Sequence, residues 1–425
     1  MRTMFDRNKP LFSRPVLAAI MVFATLGIWL LNLISSDVKL PSPDVTSWET
    51  ESGIPVNWIN MDPWGNGNKI IVKFVFEAEQ TENRLTEATF DLLMGNSLPI
   101  SQSTINQRLS PLSAKASSYV TPLQQTLQLT LNSEGNYLTP SLSVIENWLQ
   151  HATFKPRSLV SWQKRHSDIK SDEQKLLDML LISNGTPTDE ISLDAINAYY
   201  TVIQQSTSHI SIVGHLDKTS QTTLKRFLNT LSGHFKPRAT SSIIPHIQPS
   251  SQLQFGEGHL HDSHSMLAVL QPASVQDWAT YLIWARDAVA RANNHAEINF
   301  MQWHLSLTTM PSYVWWSQQY ASTQKESAPT PDHWMDYQDL QSYSDGQHFK
   351  LLKEQLLTQL KSRTLTPDWW AYISTQITHP NSSLALETFI ENYSDALNSF
   401  TIEDYRNRLE TLIDLNSYQE IQVNR

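Results

Sequence analysis

The sequence predicts an α+β protein made of two similar halves, each a mainly antiparallel sheet with helices packed on one face, behind one N-terminal transmembrane helix. Three observations carry this. Strand-like runs alternate with amphipathic helical patterns along the chain. Their order recurs, less clearly, after a Pro/Ser-rich stretch near the middle. And Pro15–Ile34, "PVLAAIMVFATLGIWLLNLI", is long and apolar enough to cross a hydrocarbon core.

Arg2, Arg7, Lys9 and Arg14 precede that segment and only Lys39 follows closely, so the positive-inside rule places residues 1–14 in the cytoplasm and the body outside. A cleaved signal peptide is the alternative, but "NLISSDVKL" is a poor cleavage site and an uncleaved anchor is preferred. The expectation is a single-pass protein of a bacterial inner membrane with a periplasmic body. Residues 35–47 read as a tether.

The first half, 48–236, opens with strand-like "GIPVNWINM" and "KIIVKFVFEAE", separated by the turn chemistry of "DPWGNGN". Helical patterns follow around Leu85–Met94 and Gln102–Leu109, then the strands "KASSYVTP" and "QTLQLTLNSE". Leu142, Ile145, Trp148 and Leu149 mark an amphipathic helix. "HISIVGHL" reads as a short strand, and Leu224, Phe227, Leu228 and Leu231 form one face of the next helix. Residues 237–252 have the composition of a linker.

The second half, 253–425, begins with a strand in "HSMLAVLQP" and a long helix in "VQDWATYLIWARDAVARAN". "SLTTMPSYVWWSQQY" reads as part of a loop-rich middle. A helix over "FKLLKEQLLTQLKSR" precedes "TPDWWAYISTQI", where Thr366 is a candidate N-cap and Pro367 sits in the first turn. Thr401 and Asp404 have the spacing of a capping arrangement for the last helix.

Composition excludes several functions. With 31 Lys and Arg against 41 Asp and Glu, net charge −10, the chain has no basic stripe for a nucleic-acid partner. It has no cysteine, which removes disulfides, thiolate metal sites and thiol nucleophiles. No G-x-S-x-G elbow, Walker A motif or dinucleotide-binding glycine pattern occurs.

The stretch that bears most on function is "RLTEATFDLLMGNS", 84–97, where Glu87 and Asp91 lie four apart and so on one helical face. Together with "WETESGIPVNWI", "NAYYTVIQQSTSHISIVGHLD" and the closing "FTIEDYRNRLETLIDLNSYQEIQV", its order and spacing resemble a two-domain unit of the M16 metallopeptidases, the pitrilysin, insulinase and mitochondrial-processing-peptidase group. The resemblance spans about Trp48 to Val423 and implies the LuxS/MPP-like metallohydrolase fold. It also implies an inverted zinc motif, His-x-x-Glu-His, on the first helix, in which two imidazoles and a distal Glu hold zinc and the inner Glu is the general base. On that pattern the first His position is Glu87, the base position Phe90 and the second His position Asp91. The distal Glu position falls in "SWQKRHSDIKSDEQ", with Asp172 the nearest candidate and Asp168 the second. Phenylalanine cannot accept a proton, and carboxylates alone suit Mg²⁺ or Ca²⁺ better than zinc.

The family also holds substrate with an Arg and a Tyr from its second domain. Here Tyr313 takes the Tyr position as a remnant substrate contact, and Ser306 and Thr309 fall where the Arg would be. His259, His261 and His264 could form a metal cluster, although a polar strand entry or hairpin is preferred. Trp303, Trp315, Trp316, Trp334, Trp369 and Trp370 suit core packing or a subunit interface better than a ligand platform.

The resemblance thus implies a pseudo-peptidase: no catalytic residue, no cofactor because the zinc site is lost, and a partner, either an active M16 paralogue or a second copy in a homodimer. Two other readings stand beside it. One is a non-proteolytic envelope scaffold that uses the clamshell to bind; the other is a metallopeptidase with an atypical carboxylate site.

Overall fold

The computed structural model describes residues 39–78, 83–97, 104–121, 124–166, 170–181, 191–238, 247–255, 262–294, 298–307, 311–320, 337–377, 386–411 and 413–423. The apolar segment 15–34 lies outside them, and among the described residues no helix is long and apolar enough to cross a membrane.

The first half contains β1 (Asp44–Glu49), β2 (Pro55–Asn60), β3 (Lys69–Phe76), α1 (Asn83–Asn96), α2 (Ile105–Leu109), β4 (Lys115–Val120) and β5 (Gln125–Asn132). It continues with α3 (Gly135–Gln150), α4 (Pro156–Arg165), α5 (Asp172–Leu180), α6 (Leu193–Ile203), β6 (Thr207–Gly214) and α7 (Lys218–Ser232). The second half contains β7 (Ser251–Phe255), β8 (Ser263–Leu270), α8 (Val275–Asn293), β9 (Ile298–Ser306), β10 (Ser312–Tyr320) and α9 (Gln341–Ser344). It ends with α10 (Gly346–Arg363), α11 (Pro367–Ile377), α12 (Leu386–Ser399), α13 (Ile402–Leu409) and β11 (Ile413–Val423).

The strands form a six-stranded sheet, β1-β2-β6-β3-β5-β4, and a five-stranded sheet, β7-β11-β8-β10-β9. Each is antiparallel except for one parallel pair, β2 with β6 and β7 with β11. Setting β7 against β2, β11 against β6, β8 against β3, β10 against β5 and β9 against β4 makes the second sheet a repeat of the first without β1. The halves are similar in topology as well as in pattern.

Two expectations from sequence are corrected. Residues 44–47 are not tether but the start of β1, which pairs with β2 from Asp44↔Asn60 to Glu49↔Pro55. The aromatic run in "SYVWWSQQY" is not loop but β10, an inner strand paired with both β8 and β9, as its β-branched and aromatic content favours. Of the caps read from sequence, Thr401 and Asp404 make a reciprocal capping box on α13. Thr366 turns its hydroxyl back to the Arg363 carbonyl, 2.8 Å away.

Alternation along the strands explains the layering. On β3, Ile70, Val72, Phe74 and Phe76 join the core formed with α1, α3, α6 and α7. Lys73, pointing the other way, donates to Thr375 Oγ1 at 2.9 Å on α11. On β8, Leu267 and Val269 pack against Leu176, Leu177 and Leu180 of α5. The second face of each sheet is therefore covered by a helix from the opposite half of the sequence, which modifies the one-face layering expected. Leu40–Arg425 forms one compact unit, and this exchange of α5 and α11 is its physical cause.

Gly214 ends β6 at φ +139°, where a Cβ would lie 2.6 Å from the Lys69 carbonyl oxygen. Only glycine fits so close a strand approach. Its own carbonyl accepts from Trp58 Nε1 at 2.8 Å.

Candidate functional site

Helix α1 turns one face inward through Ala88, Phe90, Leu92 and Leu93, all buried. Phe90 is 1% exposed and lies 6.4 Å, centroid to centroid, from Phe76 on the sheet. Thr86 donates to the Tyr199 hydroxyl at 3.0 Å and fixes α1 on α6. Glu87 and Asp91 share the outward face, as their spacing requires.

Asp91 accepts from Trp162 Nε1 at 2.9 Å and sits 3.0 Å from His166 Nε2; the indole and imidazole stack at 4.4 Å. Both partners come from α4 and its C-terminal end, one turn apart. Glu87 accepts from Gln174 Nε2 of α5 at 3.2 Å. Burial and the neighbouring Asp91 raise the Glu87 carboxyl above its ordinary range; Asp178 adds to this, while His166 and Lys170 oppose it.

Helix α5 links this face to the second sheet. The capping box of Ser171 and Gln174 starts it. Asp172 turns away from α1, to Lys175 at 3.0 Å and to the Ser265 hydroxyl of β8 at 3.2 Å. Glu173 accepts from Tyr313 at 2.8 Å, and its Oε1 lies 2.6 Å from His304 Nδ1. Because an ionised carboxylate only accepts, Nδ1 is the protonated ring nitrogen in that contact. Burial by itself would raise the Glu173 carboxyl, but the hydrogen bonds from His304 and Tyr313, with the His304 charge, carry it below its ordinary range. Burial and then the Glu173 charge push the Tyr313 hydroxyl up.

The structure thus brings Glu87 and Asp91 together and places Asp172 elsewhere; Asp168 lies outside the described residues. The α5 side chain that reaches Glu87 is Gln174, and Tyr313 is 4% exposed, engaged with Glu173. Ser306 is buried and hydrogen-bonded to Tyr119 of β4; Thr309 lies outside the described residues. His259 and His261 also lie outside them, and His264 is buried against Glu420. Trp316, Trp369 and Trp370 are core residues, Trp315 packs on the smaller core, Trp303 is 39% exposed, and Trp334 lies outside the described residues. Among the described residues no three His, Asp or Glu side chains are grouped so as to hold a metal.

These residues do not fit a tetrahedral zinc ion. The helical positions offer carboxylates already committed to an amide, an indole and an imidazole, and Phe90 between them has no acceptor. Sequence reasoning missed Gln174, Glu173, His166 and His304. The Ser171-x-x-Gln174 capping signal was available: it sets where α5 begins, and hence which of its residues face α1.

No protein-family model matches the sequence, and no curated protein is similar to it. Solved structures are similar over nearly the whole chain. A protease from Helicobacter pylori is 10% identical with a TM-score of 0.67, covering 91% of this chain and 100% of that one. An M16 peptidase inactive domain from Pseudomonas fluorescens is 13% identical with a TM-score of 0.67, covering 89% and 98%. The periplasmic protease PqqL from Escherichia coli is 11% identical with a TM-score of 0.62, covering 91% of this chain and 46% of that one. The fold is that of M16 peptidase-like proteins, active and inactive.

Proposed function

We propose that this chain is a catalytically inactive M16-like subunit, anchored in a bacterial inner membrane by Pro15–Ile34 with its body in the periplasm. Its partner is an active zinc M16 peptidase that carries His-x-x-Glu-His, and the two enclose one substrate chamber. This chain holds no zinc and supplies a chamber wall, substrate contacts and the membrane tether.

The observation that supports this most is Phe90: a buried ring, packed on Phe76, occupies the position aligned with the general base. A side chain that fills the core cannot double as a proton acceptor facing substrate. The likeness to a domain described as inactive supports the loss of chemistry, and the likeness to a periplasmic protease supports the compartment.

The test is affinity capture of the tagged full chain from solubilised membranes, followed by peptide cleavage with and without it. Recovery of an M16 peptidase with intact histidines, whose cleavage rate or product pattern changes when the chain is added, is the expected result. Absence of a complex, with cleavage identical to that of the active subunit alone, overturns the proposal. Capture of unrelated envelope proteins instead favours the scaffold reading.

A further inference from the structure

A cavity of about 800 Å³ lies in the second half, between α8 and α10, with β9 as its floor. It is within the range, about 300–1,000 Å³, that holds small organic ligands. The cavity does not reach α1, it shares only His304 with the junction around Glu173, and nothing in the proposed function uses it.

Its chemistry is divided. Trp278 and Leu282 of α8, Leu352 and Leu356 of α10, and Trp303 and Leu305 of β9 make a long apolar wall. Helical spacing accounts for it: positions 278, 282, 286 and 289 follow one face of α8, and 352, 356, 359, 360 and 363 follow one face of α10. On β9, residues 303 and 305 share a face by alternation, and Leu307 follows the strand end. Trp303 remains 39% exposed because β9 is the edge strand of its sheet and is incompletely covered.

Two cations interrupt this wall. Arg286 donates to Gln359 Oε1 at 2.8 Å, and Arg363 follows Gln359 by one helical turn, so the three form a continuous polar surface. Neither arginine is ion-paired among the described residues, in a chain of net charge −10. The one carboxylate on the lining, Asp368, is already paired with Lys69 at 2.7 Å. Guanidinium groups beside an apolar slot are suited to a carboxylate or phosphate at the end of a hydrocarbon chain.

The position in the body agrees with this. Trp278 packs on Phe389 of α12 at 6.1 Å, Phe389 stacks on Tyr393 at 5.6 Å, and the Tyr393 hydroxyl donates to the Pro41 carbonyl. The cavity wall is thus joined through α12 to the first described residues that follow the apolar segment 15–34.

We infer that this cavity binds a single-chain anionic amphiphile, its acyl chain lying along Trp278, Leu282, Leu352 and Leu356 and its head group on Arg286 and Arg363. A free fatty acid and a lysophospholipid share that chemistry, and the competition arm of the test separates them.

The experiment uses the full chain in nanodiscs of neutral phosphatidylcholine, photolabelled with a sixteen-carbon fatty acid carrying a diazirine and mapped by peptide mass spectrometry. Label concentrated on α8 and α10 is expected. It should fall about tenfold or more in the Arg286→Gln, Arg363→Gln double variant, as loss of charge-assisted hydrogen bonds requires. Arg363 is exposed, so Arg363→Glu retains the fold and should give a comparable loss; Leu356→Trp should exclude the chain by filling the slot. Competition by excess palmitate identifies a fatty-acid site, and competition by lysophosphatidylglycerol alone identifies a phosphate-headed lipid. Three results overturn the inference: labelling spread outside the groove and unchanged by the variants, equal labelling by the neutral alcohol of the same length, or protein cross-links in cells from a photoreactive residue at Leu282 with no lipid label. None of these outcomes depends on whether an M16 partner is recovered.

Discussion

The Tyr313 hydroxyl donates a 2.8 Å hydrogen bond to Glu173 Oε1, tying an inner strand of the second sheet to a helix that belongs by sequence to the first half. His304 reaches the same oxygen from the edge strand. Around this contact Leu176, Leu177 and Leu180 pack on Leu267 and Val269. A residue aligned with a substrate-holding tyrosine is thus part of the joint that holds the two sheets together. Tyr313, His304 and Glu173 have a structural use in this joint.

Glu173 should therefore make stability depend on acid. Its folded-state pKa lies below the unfolded value of about 4.3, so its contribution is complete above that value and lost as pH falls through the lower folded one. Glu173→Gln is expected to cost about 1–2 kcal/mol at pH 7 and to approach wild type as acid protonates the carboxylate in the folded state. Urea unfolding across pH 3–7 measures this. Parallel curves for the two proteins over the whole range would show that the carboxylate charge contributes nothing.

Phe90 and Asp91 should separate packing from remnant chemistry. Truncating a ring that is 1% exposed leaves a cavity, and Phe90→Ala is expected to cost about 3–5 kcal/mol. Asp91→Asn keeps an acceptor for Trp162 at a half-exposed site and should cost less than about 1 kcal/mol. Chemical denaturation of both variants checks the order. A larger loss in Asp91→Asn would mean that the outward face, not the inward one, is what holds α1.

How much of this was legible in sequence differs by residue. The packing of α1 could be read from the spacing of Leu85, Leu92 and Leu93, and Phe90 from the family register. The strand β1 could not, because its pattern of mostly exposed residues carries no hydrophobic alternation. Nor could the exchange of α5 and α11: Leu176, Leu177 and Leu180 announce an apolar face, but not which sheet receives it. Asp172 was favoured for its carboxylate. The geometry follows from the helix start at Ser171, which leaves Asp172 on the side of β8 and turns Gln174 to Glu87.

Lys73 should give a pH dependence of the same sign as Glu173, but in an alkaline window. It sits at the docking surface of α11, donates to the Ala371 carbonyl and Thr375, and has no carboxylate partner among the described residues; burial lowers its pKa to about 8. Between that value and the unfolded value of about 10.4 the unfolded chain binds the extra proton, so stability rises with pH. An increase on the order of 1–2 kcal/mol from pH 7.5 to 9.5 is expected, and Lys73→Met should remove the slope. Thermal unfolding of both proteins over that window reads it as a difference, which cancels the unfolded-state tyrosine ionisation that begins at about pH 9.5; a slope retained in Lys73→Met assigns it to another group.

The last prediction tests the placement of α5 against α1 by introducing a ligand set. The two helical positions four apart are 87 and 91, and Gln174 of α5 donates to Glu87 at 3.2 Å. If that register is right, E87H with D91H and Q174E places two imidazoles and a carboxylate around one point, the donors that zinc prefers. Phe90 is left alone so that the core stays filled. The triple variant should retain about one zinc per chain after dialysis, measured by elemental analysis. The same two histidines with D172E should retain at least about tenfold less, because residue 172 is turned to Ser265 and Lys175. Equal retention by both variants would sink the register. Zinc held by the Q174E variant without peptide cleavage is the expected outcome, since the phenyl ring of Phe90 cannot accept a proton.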